Sequence, residues 1–182
     1  MTLRIELSTA EPGPCSLWPG DLPEDGPART LMVTWTVDPE PADAGVPEPL
    51  QTLLATWLAG QGQVAFPVRL GLLGHVEWTV ATTPGAAAAL FDIADFPWWT
   101  GTQAALIAGE APDPDLLTRA MAKCLMGDAW VTATGMGGCH AVLRAGIDGD
   151  ALCMAFADRA AQATAAAELA DLAAQARIPC AG

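Results

Sequence analysis

Cys139 and His140 have the residue types best suited to covalent chemistry, because a thiolate beside an imidazole makes a nucleophile. They follow a glycine-rich turn at 135–138, which predicts a β-hairpin. Neighbouring residues on a strand point to opposite faces, so these two side chains diverge if the hairpin forms. We therefore interpret Cys139 as a small hydrophobic residue that is buried in the core. In the alternative interpretation, Cys139 is a nucleophile and its partner is His75 from another predicted hairpin.

Metal ligands would have to come from residues that are far apart in the sequence. The available thiols and imidazoles are Cys124, Cys139, Cys153, His75 and His140. None of them has the short spacing of a recognisable zinc motif. His75 and Glu77 match half of the zinc deaminase signature, but the second half, Pro-Cys-x-x-Cys, is missing. We predict no metal and no cofactor.

Other catalytic motifs are also missing. Ser8 and Ser16 are the only serines and both stand near the N-terminus, which argues against a serine hydrolase. No glycine-rich loop has the spacing and the lysine of a phosphate-binding motif. The acidic turn at 148–150 lacks the downstream ligand of a calcium loop. No catalytic residue is therefore assigned, and the remaining candidates are Cys139, His140 and His75.

A stretch without basic residues offers a different kind of site. No lysine or arginine occurs between Arg69 and Arg119, and we call residues 70–118 the base-free span. Tryptophan is enriched at interface hot spots, and acids around it would steer a basic partner. The span contains the adjacent tryptophans Trp98 and Trp99. The alternative to an interface is that one of them fills the core and the other covers a helix end. The predicted binding residues are Trp98, Trp99, Asp92, Asp95, Glu110, Asp113 and Asp115.

The overall charge indicates which partners suit the chain. A net charge of −13 arises from 21 acids and 8 bases. This charge repels nucleic acid and anionic membranes, so we predict no direct nucleic acid and no membrane binding. It favours a protein partner with a basic surface, although acidity can also serve only to keep an apolar, alanine-rich chain in solution.

Strands and helices that position these residues are predicted from hydropathy patterns. Alternating apolar residues predict strands at 2–8, 30–37, 64–70 and 76–80. Pro67 indicates an edge strand or a bulge, because it has no amide hydrogen for the ladder. Helical spacing and end signals predict helices at 50–58, 84–91, 113–127 and 158–177. Gly60 is the expected cap of the first helix, and Thr83 is the expected N-cap of the second.

The remaining segments complete the predicted order. The hairpin around the glycine-rich turn pairs 129–134 with 139–145, and 151–156 is interpreted as a further strand. A short apolar segment that ends at Ile107 is left unassigned. The order ββα-ββα-α-ββ(β)α predicts an α+β fold, with an antiparallel sheet built from β-hairpins and helices packed mainly on one face.

Length and cysteine content lead to predictions about organisation and location. The 182 residues, 52% of them hydrophobic, suit a single domain over 1–182 with Pro/acid-rich loops at 10–29 and 38–49. Five cysteines without a C-x-x-C pair predict reduced thiols with no structural disulfide. Glu6 stands where a signal peptide would have its apolar core, so we expect a cytoplasmic protein.

Two functions from different classes remain after these exclusions. The first is an acidic protein-binding module that masks or inhibits a basic partner surface, as an immunity protein, an inhibitor or a chaperone does. The alternative is an enzyme or metal-binding protein that uses Cys139 and His140 with His75.

Overall fold

The computed structural model describes residues 2–9, 29–39, 46–70, 76–92, 104–108, 115, 119, 139–145 and 151–182. Strands in this part form one eight-stranded sheet. They are β1 Thr2–Thr9, β2 Thr30–Asp38, β3 Gln63–Leu70, β4 Val76–Ala81, β5 Ala104–Ala108, β6 Cys139–Ala145, β7 Ala151–Phe156 and β8 Cys180–Ala181. Their order across the sheet is β4-β3-β5-β6-β7-β2-β1-β8. Neighbouring strands are antiparallel except β1 and β8, which are parallel.

The helical elements of the described residues connect and cover these strands. They are α1 Glu48–Gly60, α2 Pro84–Ala88 with a 3-10 turn at Ala89–Asp92, and α3 Arg159–Gln175. Asp158 caps α3, because its Oδ1 accepts a hydrogen bond from the Ala161 amide at 2.8 Å. Thr83 caps α2 through a 3.3 Å bond from the Ala86 amide, as predicted. The class is α+β, as the sequence predicted.

One face of the sheet, which we call the helix face, packs against the helices. Along β1 the apolar residues Leu3, Ile5 and Leu7 are buried while the residues between them are exposed or half-buried. Leu152, Met154 and Phe156 on β7 belong to the same buried cluster. Residues from α1, α2 and α3 belong to this cluster, which bears out the prediction that helices pack mainly on one face; they include Leu54, Ala87 and Leu169.

The opposite face of the sheet is buried at its centre as well. Every residue of β7 is buried, although alternate residues point to opposite faces. A row of register partners crosses this face through Thr30, Ala155, Val142, Leu106, Ala65 and Val80. Val142 and Ala155 are 0% exposed, whereas Val80 at the end of the row is 41% exposed. The opposite face is therefore enclosed at β6 and β7 and open at β4.

A polar contact joins α1 to α3 beside the apolar core. The indole Nε1 of buried Trp57 donates a 3.0 Å hydrogen bond to Glu168 Oε2. Gln61 Nε2 donates to the same oxygen at 2.8 Å. The exposed carboxylate of Glu168 thus satisfies an indole hydrogen that would otherwise be buried without a partner.

Several sequence predictions are confirmed in detail. The strands expected at 2–8, 30–37 and 151–156 are β1, β2 and β7. β3 and β4 form the predicted hairpin, and their register shifts between Pro67 and Arg69, where Pro67 predicted a bulge. The helix predicted at 158–177 is α3. Of the helix predicted at 113–127, only Asp115 and Arg119 are described, and both are helical.

The predicted hairpin before Cys139 is wrong in its strand pairing. β6 has β5 on one side and β7 on the other, so both of its hydrogen-bonding edges are occupied. The predicted partner segment, 129–134, lies outside the described residues. β5 itself comes from the segment left unassigned, because five small or aliphatic residues show no alternation.

The end of α1 differs in a smaller way. Gly60 is the last helical residue and Gln61 is the C-cap. Gly62, with φ at 109°, takes the positive φ that favours glycine after a helix. The cap predicted at Gly60 is therefore wrong, because Gln61 takes that position and the positive φ falls on Gly62. No helix among the residues described is long and apolar enough to cross a membrane.

Candidate functional site

Cys139 is the first residue of β6 and is 1% exposed. Its Sγ donates a hydrogen bond to the carbonyl oxygen of Ala141 at 3.1 Å. The thiol is free of any disulfide. A thiol that is buried and hydrogen-bonded to the backbone lacks the access to solvent and the activating environment of a nucleophile. Its surroundings therefore favour the interpretation as a small buried hydrophobe.

His140 follows on the same strand and is half-buried. Burial lowers the pKa of its imidazole below the usual value of 6.5, since the charged form loses hydration. Its carbonyl oxygen accepts a 3.0 Å hydrogen bond from the Ala157 amide, which extends the pairing of β6 with β7. The register of β6 against β5 shifts at this point, since Ile107 pairs with Ala141 and Ala108 with Cys139. The predicted divergence of the two side chains assumes regular alternation and stays a prediction. The alternative partner, His75, lies outside the described residues.

The described cysteines and acids do not assemble into a metal centre. Within the described ranges, no group of three or more His, Cys, Asp or Glu side chains could hold a metal ion. Cys153 is disulfide-bonded, so its sulfur is not available as a thiolate ligand. Cys124 and His75, two further candidates, lie outside the described residues.

The same disulfide corrects the prediction of fully reduced thiols. Cys153 forms a disulfide, while Cys139 and Cys180 are free. Cysteine spacing gave no warning of this, because connectivity cannot be deduced from sequence alone. Cys180 is exposed on β8, and partial burial of its sulfur raises the pKa of that thiol. At neutral pH this shift keeps the Cys180 thiol in its less reactive protonated form.

The predicted acidic surface is described only in part. Asp92 is the last residue of the 3-10 turn that follows α2. Asp115 is exposed and helical. The other five predicted binding residues lie outside the described residues; they are Trp98, Trp99, Asp95, Glu110 and Asp113.

The base-free span supplies one complete edge of the sheet. β4 is the terminal strand of the sheet, and α2 and the 3-10 turn follow it directly. Val80 on β4 is 41% exposed and is the single large hydrophobic residue in the described part with that degree of exposure. Glu77 on β4 is the register partner of Arg69 on β3, which is the last base before the span.

Sequence patterns did not identify β4 as the edge. Pro67 pointed to β3, but β3 lies between β4 and β5, and the proline is accommodated by the register shift. Val76, Trp78 and Val80 alternate in the same way as the apolar residues of an interior strand. Period-two alternation shows which residues share a face, but it carries no information on whether a second strand lies beside them.

Comparison with known proteins finds no matching family model, no similar curated protein and no similar solved structure. The function is therefore argued from the residues of this chain alone.

Proposed function

We propose that this protein is an acidic binding module that masks or inhibits a basic surface of a partner protein. The observation that carries the proposal is the net charge of −13 on 182 residues. A field of this size steers a basic partner toward the surface and repels nucleic acid and anionic lipid. An immunity protein, an enzyme inhibitor or a chaperone for a basic protein would each use charge in this way.

The base-free span is the proposed contact surface. It has no cation over residues 70–118, and it contains the adjacent tryptophans Trp98 and Trp99 together with six acids. Aromatic anchors supply most of the binding energy in many interfaces, while surrounding acids determine partner choice and association rate. The exposed edge strand β4 and Val80 belong to the same span and add apolar area to it.

The enzyme or metal-binding alternative has weaker support. It requires a reactive Cys139, whereas this thiol is 1% exposed and donates to the Ala141 carbonyl. The observed surroundings of Cys139 therefore favour the binding module.

The cytoplasmic location remains a prediction. Reduced thiols were one of its two supports, and the Cys153 disulfide removes that support, because disulfides are rare in cytosolic proteins. We propose that the chain works in a compartment, or at a stage of its life, where Cys153 is oxidised. Non-reducing peptide mapping of the protein isolated from its native host tests this directly.

The test of function is affinity capture from the native host with tagged wild-type protein, followed by purification of the captured partner. We expect a stoichiometric complex with a basic protein, and an affinity that falls as salt concentration rises, since exposed charges are screened. The Trp98→Ala/Trp99→Ala double variant should lose the complex while keeping the wild-type melting temperature. A partner with an acidic contact surface, or binding that ignores salt, would contradict the proposal.

A matched pair of charge variants tests whether the base-free span or the overall acidity of the protein attracts the partner. The first neutralises Glu110, Asp113 and Asp115 in the base-free span. The second neutralises three exposed acids elsewhere, Glu6, Glu48 and Asp171. Both change the net charge by the same amount, so only a local surface predicts a larger loss for the first variant. Equal losses would show that the total charge, and not the base-free span, attracts the partner.

A further inference from the structure

The Cys153 disulfide lies in the most enclosed strand of the described sheet. Cys153 is 1% exposed, and all six residues of β7 are buried. β7 has β6 on one side and β2 on the other. In the register, Cys153 stands opposite Met32 on β2 and Arg144 on β6. The disulfide is therefore attached at the centre of the sheet and not at a free edge or a chain end.

Cys153 belongs to the face opposite the helices. It alternates with Leu152 and Met154, which contribute to the cluster on the helix face. Its neighbours on the opposite face are Ala151 and Ala155, which are 2% and 0% exposed. Each alanine buries a single methyl group, worth about 0.8 kcal/mol, so apolar burial at these two positions stabilises the sheet weakly. A covalent cross-link would supply stability that small side chains cannot.

We propose that the Cys153 disulfide is a structural cross-link of the sheet centre, which stabilises the folded chain and is shielded from reductants in solution. In the oxidation step the Sγ atoms of Cys153 and one other cysteine form a bond. Their two protons and two electrons pass to a disulfide oxidant, which becomes two thiols. The cross-link then restricts the unfolded chain and stabilises the folded one.

The described free thiols are poorly placed to reopen the cross-link. Exchange requires a thiolate that reaches one of the disulfide sulfurs. Cys139 is buried and donates to a backbone carbonyl. Cys180 is exposed on β8, at the far end of the sheet order from β4 and three strands from β7. Neither thiol is a neighbour of Cys153 in the ladder.

The first test measures access to the cross-link in the wild-type protein. Folded protein is treated with dithiothreitol, quenched with excess iodoacetamide and analysed by peptide mass mapping, with and without guanidinium chloride. We expect Cys180 to be labelled in the folded protein and Cys153 only after denaturation. Labelling of Cys153 at the same rate as Cys180 in the folded protein, or purified protein without any disulfide, would overturn the proposal.

The second test uses the cysteines as controls for one another. Cys153→Ala should lower the melting temperature by roughly 5–15 °C, which corresponds to the usual effect of removing a native disulfide from a chain of this size. Cys180→Ala should leave it unchanged, and Cys139→Ala should lower it by only a few degrees, about the effect of one hydrogen bond. If Cys153→Ala lowers the melting temperature no more than Cys180→Ala, the cross-link is not structural.

The same panel identifies the second cysteine. Cys15→Ala and Cys124→Ala complete the panel. The variant that removes the second cysteine should reproduce the Cys153→Ala effect, and combining it with Cys153→Ala should add nothing further. Full additivity of both combinations would contradict the proposal. If Cys153→Ala fails to fold, the labelling of wild-type protein still decides the outcome.

Discussion

Strands β6 and β4 differ in what surrounds them, although both carry residues that suggest function. β6 holds Cys139 and His140 and lies between two strands, whereas β4 belongs to the base-free span and ends the sheet. Val142 on β6 is 0% exposed, and Val80, in the same row on the same face, is 41% exposed. The difference teaches that residue types suited to chemistry can be structural when they lie at the centre of a sheet. Surface composition is then the better guide to function.

The largest expected effect comes from placing a charge at a buried position and at an exposed position of that row. Val142→Asp should cost about 3–5 kcal/mol or more and abolish the folded state, because the carboxylate is buried without a partner. Val80→Asp should change stability by no more than about 1 kcal/mol, since its side chain reaches water. Denaturant unfolding monitored by tryptophan fluorescence measures both. Similar losses for the two variants would refute the contrast between the strands.

Truncation of apolar side chains gives the next effect. Leu143 is 0% exposed and belongs to the core cluster, so Leu143→Ala should cost about 2–5 kcal/mol. Val80→Ala should cost less than about 0.5 kcal/mol, as expected for an exposed position. Thermal unfolding checks both values. A cost at Val80 as large as that at Leu143 would mean that the β4 edge is covered.

Much of the fold could be predicted from the sequence. β1 and β2 could be predicted because more buried and less buried residues alternate along each strand. The cap at Thr83 was predicted because it depends on a local hydrogen bond, which sequence spacing indicates directly. These predictions involve contacts between residues that are close in the chain.

Apart from the cap predicted at Gly60, the failures involve contacts between residues that are far apart in the chain. β5 pairs with β6 across more than thirty residues, whereas the glycines at 135–138 suggested a local partner. β7 was correctly interpreted as a strand, but its burial on both faces has no alternating pattern to reveal it. The disulfide of Cys153 is likewise a nonlocal bond that spacing does not specify. At the candidate site, the sequence indicated the candidate residues and the net charge, whereas the structure showed the buried position of Cys139.

We expect pH to have a smaller effect on stability, through the half-buried imidazole of His140. Burial lowers the pKa of His140 in the folded protein relative to the unfolded value of about 6.5. Between these two pKa values the unfolded chain binds more protons, so stability falls as pH decreases below about 6.5. His140→Asn should show a weaker loss of melting temperature between pH 7 and about pH 5. The control is His75→Asn, and an identical pH slope in wild type and His140→Asn would contradict the buried position of the imidazole.

The central claim is that the base-free span binds a partner and that Cys139 serves only the fold. It is tested most directly by calorimetric titration of the captured partner into three folded proteins: wild type, Cys139→Ala and Trp98→Ala/Trp99→Ala. We predict unchanged affinity for Cys139→Ala. For the tryptophan variant we predict that the affinity falls by at least roughly a hundredfold, as expected when hot-spot residues are removed. Loss of binding or of any measured activity in folded Cys139→Ala, with full binding by the tryptophan variant, would contradict it.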